Sequence, residues 1–245
     1  MHFSTIIPSL FAALAAATPS GMAEGRILHK RDRYSNNWCG QVLSGSNFTE
    51  VDATWVMPKS TPTKTNYANQ PIYNYQWVGF DGASSNCQTI LQAGTYYTLT
   101  NNQPAYGFWY EFYPRGSWLL TEPAVNPGDS VYVKVTATST TTGNVYMKNL
   151  STGKDFSYDM EAPSGSQLCQ STAEWIQDNS GGDPNTFAPF STFSFTKAHA
   201  SDASGANYGL TGSERWIMEP GTKALCTTSA LTSNSVKISY TGPTN

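Results

Sequence analysis

Asn126-Pro127-Gly128-Asp129-Ser130-Val131-Tyr132-Val133-Lys134-Val135-Thr136-Ala137 is the stretch that decides the fold. Four turn formers open it, and then Val131, Val133, Val135 and Ala137 alternate with Tyr132, Lys134 and Thr136 at the period of two that a half-buried strand requires. The same alternation returns in Val236-Lys237-Ile238-Ser239-Tyr240, and aromatic or β-branched runs occupy residues 52–57, 73–80, 90–99, 106–113 and 193–196. Turn signals such as Asp81-Gly82, Thr142-Gly143-Asn144 and Ser180-Gly181-Gly182-Asp183-Pro184 separate the runs at intervals of about 8 to 15 residues. No stretch holds apolar residues at helical spacing for three turns. The pattern predicts an all-β protein, an antiparallel sandwich or barrel.

The 245 residues are 39% hydrophobic and include 7 Trp, 14 Tyr and 11 Phe, enough apolar surface for a packed core. Fourteen Lys and Arg, scattered singly against 17 Asp and Glu, give a net charge of -3. Nucleic-acid affinity rests on clustered basic residues that neutralise phosphates, so a nucleic-acid partner is excluded.

Residues 1–17 have a short polar start and an apolar stretch around Leu10-Phe11-Ala12-Ala13-Leu14-Ala15-Ala16-Ala17. This reads as a secretory signal peptide, too short to span a bilayer, cleaved after Ala17 or as late as Ala23. Residues 18–31 then form a short pro-segment ending in the dibasic pair Lys30-Arg31, and residues 32–245 form one catalytic domain with no linker inside it. The expected product is a secreted, extracellular monomer of net charge -5 without membrane attachment. Of the three histidines only His199 remains in it, which removes His-rich zinc sites, and no G-x-S-x-G elbow is present. No metal ion or cofactor is expected. In an exported chain the four cysteines form disulfides, with three pairings open, and the sequons at Asn47 and Asn149 are candidate glycan acceptors.

With so little histidine, hydrolytic chemistry would fall to carboxylates inside strands, where burial can tune them. Few qualify: Glu111 within Phe108-Trp109-Tyr110-Glu111-Phe112-Tyr113, Glu174 before Trp175-Ile176, Asp81 after Trp77-Val78-Gly79-Phe80, and Glu219 after Trp216-Ile217-Met218. One amide interrupts an apolar strand at Ile90-Leu91-Gln92-Ala93-Gly94, placing Gln92 on a wet face or in a site.

Around these residues the chain resembles the glutamic peptidases, or eqolisins. The resemblance is carried by Asn37-Trp38, Ala53-Thr54-Trp55-Val56-Met57-Pro58, Trp77-Val78-Gly79-Phe80-Asp81-Gly82, Ile90-Leu91-Gln92-Ala93-Gly94, Trp109-Tyr110-Glu111-Phe112-Tyr113-Pro114, Pro127-Gly128-Asp129-Ser130, Asn149-Leu150-Ser151-Thr152-Gly153 and Ala173-Glu174-Trp175-Ile176, in family order. It implies a sandwich of two large antiparallel sheets, concanavalin A-like or jelly-roll, with Gln92 and Glu174 as a catalytic dyad on the concave side. It also implies metal-free acid endopeptidase activity on protein or peptide substrates. Cys87 and Cys169 fall where the family has a disulfide, so that pairing is favoured, with Cys39–Cys226 beside it.

The dyad has a chemical sense of its own. An ionised Glu, with an ordinary pKa of about 4.3, can take a proton from water in mildly acid solution. The amide NH2 of Gln92 can donate to the resulting oxyanion at any working pH. Blander readings stand beside this one. Gln92 is a common kind of strand glutamine, and Ser171-Thr172-Ala173-Glu174 is formally a helix capping box, although the segment after it stops too soon for a helix. Asp81 and Glu111 are site-tuning or structural acids, and Trp77 and Trp109 line the cleft or fill the core. Departures from the family pattern include Phe80, Ala93, Phe112, Gly107 and Arg115. A jelly-roll glycoside hydrolase using Glu111 and Glu174, or a lectin-like module, is the alternative.

Overall fold

A computed structural model describes residues 32–62, 72–101 and 103–243. The expected signal peptide and pro-segment lie outside the described residues. The strands, in chain order, are β1 (Asp32–Ser35), β2 (Trp38–Ser44), β3 (Phe48–Val56), β4 (Ile72–Phe80), β5 (Ile90–Thr100), β6 (Gln103–Tyr113), β7 (Trp118–Leu120), β8 (Ser130–Ala137), β9 (Thr142–Asn149), β10 (Asp155–Glu161), β11 (Thr172–Asn179), β12 (Phe193–Asp202), β13 (Asn207–Tyr208), β14 (Glu214–Met218), β15 (Cys226–Ser229) and β16 (Val236–Tyr240). Among the described residues the only helical element is a 3-10 turn at Pro184–Thr186.

The strands pair in the order β10-β9-β8-β3-β12-β16-β15-β14-β2-β11-β4-β5-β6-β7. Pairing is antiparallel except where β1 lies parallel to β14. The two expected layers are joined rather than separate, because β12 belongs to both. Its residues 193–195 face β16, and from Thr196 onward it faces β3, with a register shift between Thr196 and His199. Lys197 sits within that shift at φ 52, the kind of bulge that bends a strand from one layer into the next.

Between the layers lies the main core, including Trp55, Trp175, Phe80, Phe108, Phe112, Val131, Val133 and Val135. A second cluster, Trp38, Val42, Tyr75, Trp77, Tyr96, Trp109 and Ile176, covers the opposite face of β2, β11, β4, β5 and β6. Each such side chain contributes on the order of 2 kcal/mol by leaving water. These central strands are therefore buried on both faces, whereas β8 alternates strictly between buried and half-buried residues.

Disulfides join Cys39 to Cys226 and Cys87 to Cys169. The Asn149 side chain is buried, and Nδ2 donates to the Ala124 carbonyl and to Asp129 Oδ2, both at 2.9 Å. Asn47 is exposed, in a left-handed turn at φ 54.

Candidate active site

The strand registers bring the singled-out residues into line. Glu174 on β11 lies opposite Gly79 on β4, Gly79 lies opposite Gln92 on β5, and Gln92 lies opposite Glu111 on β6. Directly opposed residues share a face, so the four form one row on the aromatic side of the sheet. Two strand spacings put the backbones of Glu174 and Gln92 roughly 10 Å apart, leaving room between them for a small group held by both side chains. Gly79 places no side chain between them and lets β4 lie close against β5. A Cβ there would stand 2.6 Å from the Leu91 carbonyl oxygen and 2.9 Å from the Gln92 Cβ.

Glu174 is fully buried, and neither carboxylate oxygen has a hydrogen bond of acceptable geometry. Burial raises its pKa well above the ordinary range, the nearby Asp81 charge adds to this, and the Thr172 hydroxyl and Asp81 backbone pull weakly the other way. Its neighbour Asp81 has both carboxylate oxygens hydrogen-bonded. The Asp81 carboxylate accepts the backbone N–H groups of Cys169, Gln170 and Ser171 at 2.8 to 2.9 Å and the Ser171 hydroxyl at 2.9 Å. It therefore holds the turn that precedes β11. The Cys87–Cys169 bridge ties that same turn to the segment preceding Gln92.

Gln92 is 5% exposed and donates through Nε2 to Glu111 Oε2 at 2.5 Å, while its Oε1 has no partner. Glu111, half-buried, has its pKa lifted to about 7 by burial, against the Gln92 hydrogen bond. The Gln92 amide and the Glu111 carboxyl are thus hydrogen-bonded to each other across β5 and β6. Asp178 joins the same face from β11, held by the Trp77 indole at 3.3 Å and by Asn37 at 3.5 Å, its pKa also raised to about 7 by burial.

Two clefts flank Glu174. One, of about 680 Å³, is lined by Asn37, Trp38, Gln92, Glu111, Tyr113 and Asp178 among others. The other, of about 350 Å³, is lined by Val42, Thr172, Glu214 and Trp216 among others. Ala83, Ser84 and Ser85 line both, so this short segment bridges the face where Glu174 is enclosed.

Trp77 and Trp109 share this face but are 0% and 2% exposed and line neither cleft. They are its floor, with the Trp109 indole donating to the Thr95 carbonyl at 3.0 Å. Trp38 and Asp178 form the wall, and sequence reasoning did not assign them to the site. Asp178 carried a signal: it stands four residues after Glu174, an even spacing that puts both on one strand face. Gly79 stood in plain view in the Trp-Val-Gly-Phe-Asp-Gly block, but its role depends on lying between two other strands. His199 lies in the other layer, satisfied by Asp52 at 3.0 Å and Asn207 at 2.8 Å. Glu50, Asp52 and His199 bring their ligand atoms within 4.8 Å of one another, and Lys134, an ion pair partner of Glu50 at 3.3 Å, already supplies a cation there.

The chain matches the model of the peptidase A4 family over residues 36–240. It is 30% identical to Aspergillopepsin-2 of Aspergillus niger over 98% of this chain and all of that protein. It is 35% identical to Scytalidopepsin B of Scytalidium lignicola over 67% of this chain and 62% of that one. A crystal structure of scytalido-glutamic peptidase with a transition state analog inhibitor superposes with a TM-score of 0.72 at 31% identity, covering 84% of this chain and 98% of that one. The structure of aspergilloglutamic peptidase from Aspergillus niger gives 0.62 at 32% identity, covering 69% of this chain and 99% of that one. The chain belongs to the peptidase A4, or eqolisin, family and is a glutamic endopeptidase.

Proposed function

We propose that the chain is a secreted acid endopeptidase whose chemistry rests on Glu174 and Gln92. The observation that carries this is the row Glu174–Gly79–Gln92, in which a residue without a side chain separates a buried acid and a buried amide that both hold unpartnered oxygen atoms. A peptide carbonyl placed in the gap accepts a hydrogen bond from Gln92, whose second N–H stays free while Glu111 holds the first. Glu174 takes a proton from water as the water oxygen bonds to the carbonyl carbon. The oxyanion is stabilised by the Gln92 amide, and the proton on Glu174 passes to the departing nitrogen as the C–N bond breaks.

The enclosed Glu174 is held protonated in acid, the form that serves the second step. The first step needs the anion, and substrate and water entering beneath residues 83–85 supply the donors that stabilise it. Glu111 and Asp178, with pKa values raised to about 7, are neutral in acid, so the cleft receives a peptide without a buried charge. The apolar leader and the two disulfides support an extracellular location, and no helix among the described residues is long and apolar enough to cross a membrane.

Sugar cleavage would require Glu111 as an independent acid, whereas it is committed to Gln92 at 2.5 Å. The test is turnover of a denatured protein and, separately, of xylan, each at acid pH. Gln92→Ala is expected to lower peptide release about 10²- to 10³-fold with no sugar released by either form. Sugar release that survives Gln92→Ala would overturn the proposal.

A further inference from the structure

Outside the dyad clefts a groove of about 640 Å³ opens where the edge strands of the two layers fail to close over each other. Its walls are Tyr110 and Trp118 from β6 and β7, and Tyr158 and Met160 from the inner face of β10. Tyr158 and Trp118 are 50% and 58% exposed, although they point to the interior side of their strands. Tyr158 lies 5.3 Å from Tyr110 and 6.3 Å from Phe156, ring to ring, which holds it upright at the opening. Arg115 and Glu161 also line the groove, and neither side chain has an ion pair or hydrogen bond among the described residues.

One hairpin separates the groove from the catalytic cleft. Tyr113, at the end of β6, walls the cleft, and Arg115 and Trp118, just beyond it, wall the groove. The row Glu174–Gly79–Gln92–Glu111 points straight at this hairpin, so a chain lying along the row leaves the sheet over its tip. At about 3.3 Å per extended residue, roughly five residues separate the scissile bond from the groove. We propose that this groove is a second binding site for the polypeptide substrate. It takes an aromatic or long aliphatic side chain between Tyr158 and Trp118, while Arg115 and Glu161 meet backbone carbonyl and N–H groups. A polypeptide fits the unpaired cation and acid together, since its backbone offers both kinds of partner. This rests on the proposed peptidase reading of the cleft.

The test uses the full chain carrying Glu174→Gln, so that binding is read apart from cleavage, with labelled peptides followed by fluorescence anisotropy. A hexapeptide centred on a cleaved bond is compared with the same sequence extended by about five residues at each end and carrying phenylalanines there. The extended peptide should bind about tenfold tighter, and Trp118→Ala or Tyr158→Ala should remove that gain while leaving the hexapeptide's affinity unchanged. Both side chains are exposed, so their loss spares the core. Equal affinity for the two peptides, or variants that weaken the hexapeptide as much, would overturn the inference. So would displacement of the extended peptide's gain by xylohexaose, which would make the groove a sugar site. Absence of cleavage by the wild-type chain bears on the catalytic proposal alone, because the affinity gain is measured independently.

Discussion

Two polar rows cross β11, β4 and β5 on opposite faces of the same sheet. On the inner face Gln177, Gln76 and Thr95 stand side by side, and every link is made. Gln76 donates to Gln177 Oε1 at 2.9 Å, the Thr95 hydroxyl donates to Gln76 Oε1 at 2.9 Å, and the Trp55 indole donates to Thr95 at 3.0 Å. On the outer face Glu174, Gly79 and Gln92 stand side by side with a gap in the middle and three unpartnered oxygens. Burial is the same in both rows, so burial does not distinguish structure from chemistry. The state of the hydrogen bonds does. A closed network fixes the core, whereas an open one spends stability to keep groups ready for a substrate.

The comparison can be sharpened most by pH, because only the outer face titrates. Glu111, Asp178 and Glu174 all have folded pKa values above their unfolded ones. The folded protein then binds more protons between about pH 4.5 and 7, so the stability these acids confer is fully present below their unfolded pKa values and is lost as pH rises through the folded ones. Glu111 and Asp178 should each contribute on the order of 3 kcal/mol to this decline. Denaturant melts at pH 4 and pH 7 measure it, and Asp178→Asn should flatten the slope. A steeper slope in that variant would show that the outer face is not the source.

Next in size is Gly79→Ala, which puts a methyl into the gap. Hydrolysis should fall about 100-fold, from misplacing the reacting groups by a fraction of an ångström to an ångström. Near-normal rates would mean that the gap is not where the peptide sits. The smallest effect on turnover should come from the inner row. Gln76→Leu removes the acceptor of the Thr95 hydroxyl and the donor to Gln177 Oε1 and should cost about 2 to 3 kcal/mol in a denaturant melt, with hydrolysis per folded molecule near wild type.

The same two-faced burial explains how much of the molecule is legible in its sequence. β8 could be read residue by residue, because one of its faces is core and the other half-exposed. β11 gives no alternation, since Glu174, Trp175 and Ile176 are all buried, and its start imitates a helix cap. The strand runs at residues 73–80 and 90–99 match β4 and β5 closely because aromatic and β-branched content marks them even without alternation. Gln92 and Glu174 stand out through the order of sequence blocks, whereas the register that aligns them is a tertiary fact. The surroundings of Asn149 are hidden for a related reason: its sequon is local, but the partners of its amide come from residues 124 and 129.

The central claim is that the open row exists for catalysis at a cost in stability. Glu174→Gln tests it most directly, with peptide hydrolysis and thermal stability measured on the same sample at acid and neutral pH. The account predicts a loss of hydrolysis of about 10⁴-fold together with a melting temperature that is unchanged in acid and higher than wild type near neutrality, where the cost of burying an acid with a raised pKa has been removed. A folded variant that still cleaves peptides, or one that melts earlier as Gln76→Leu should, would contradict it.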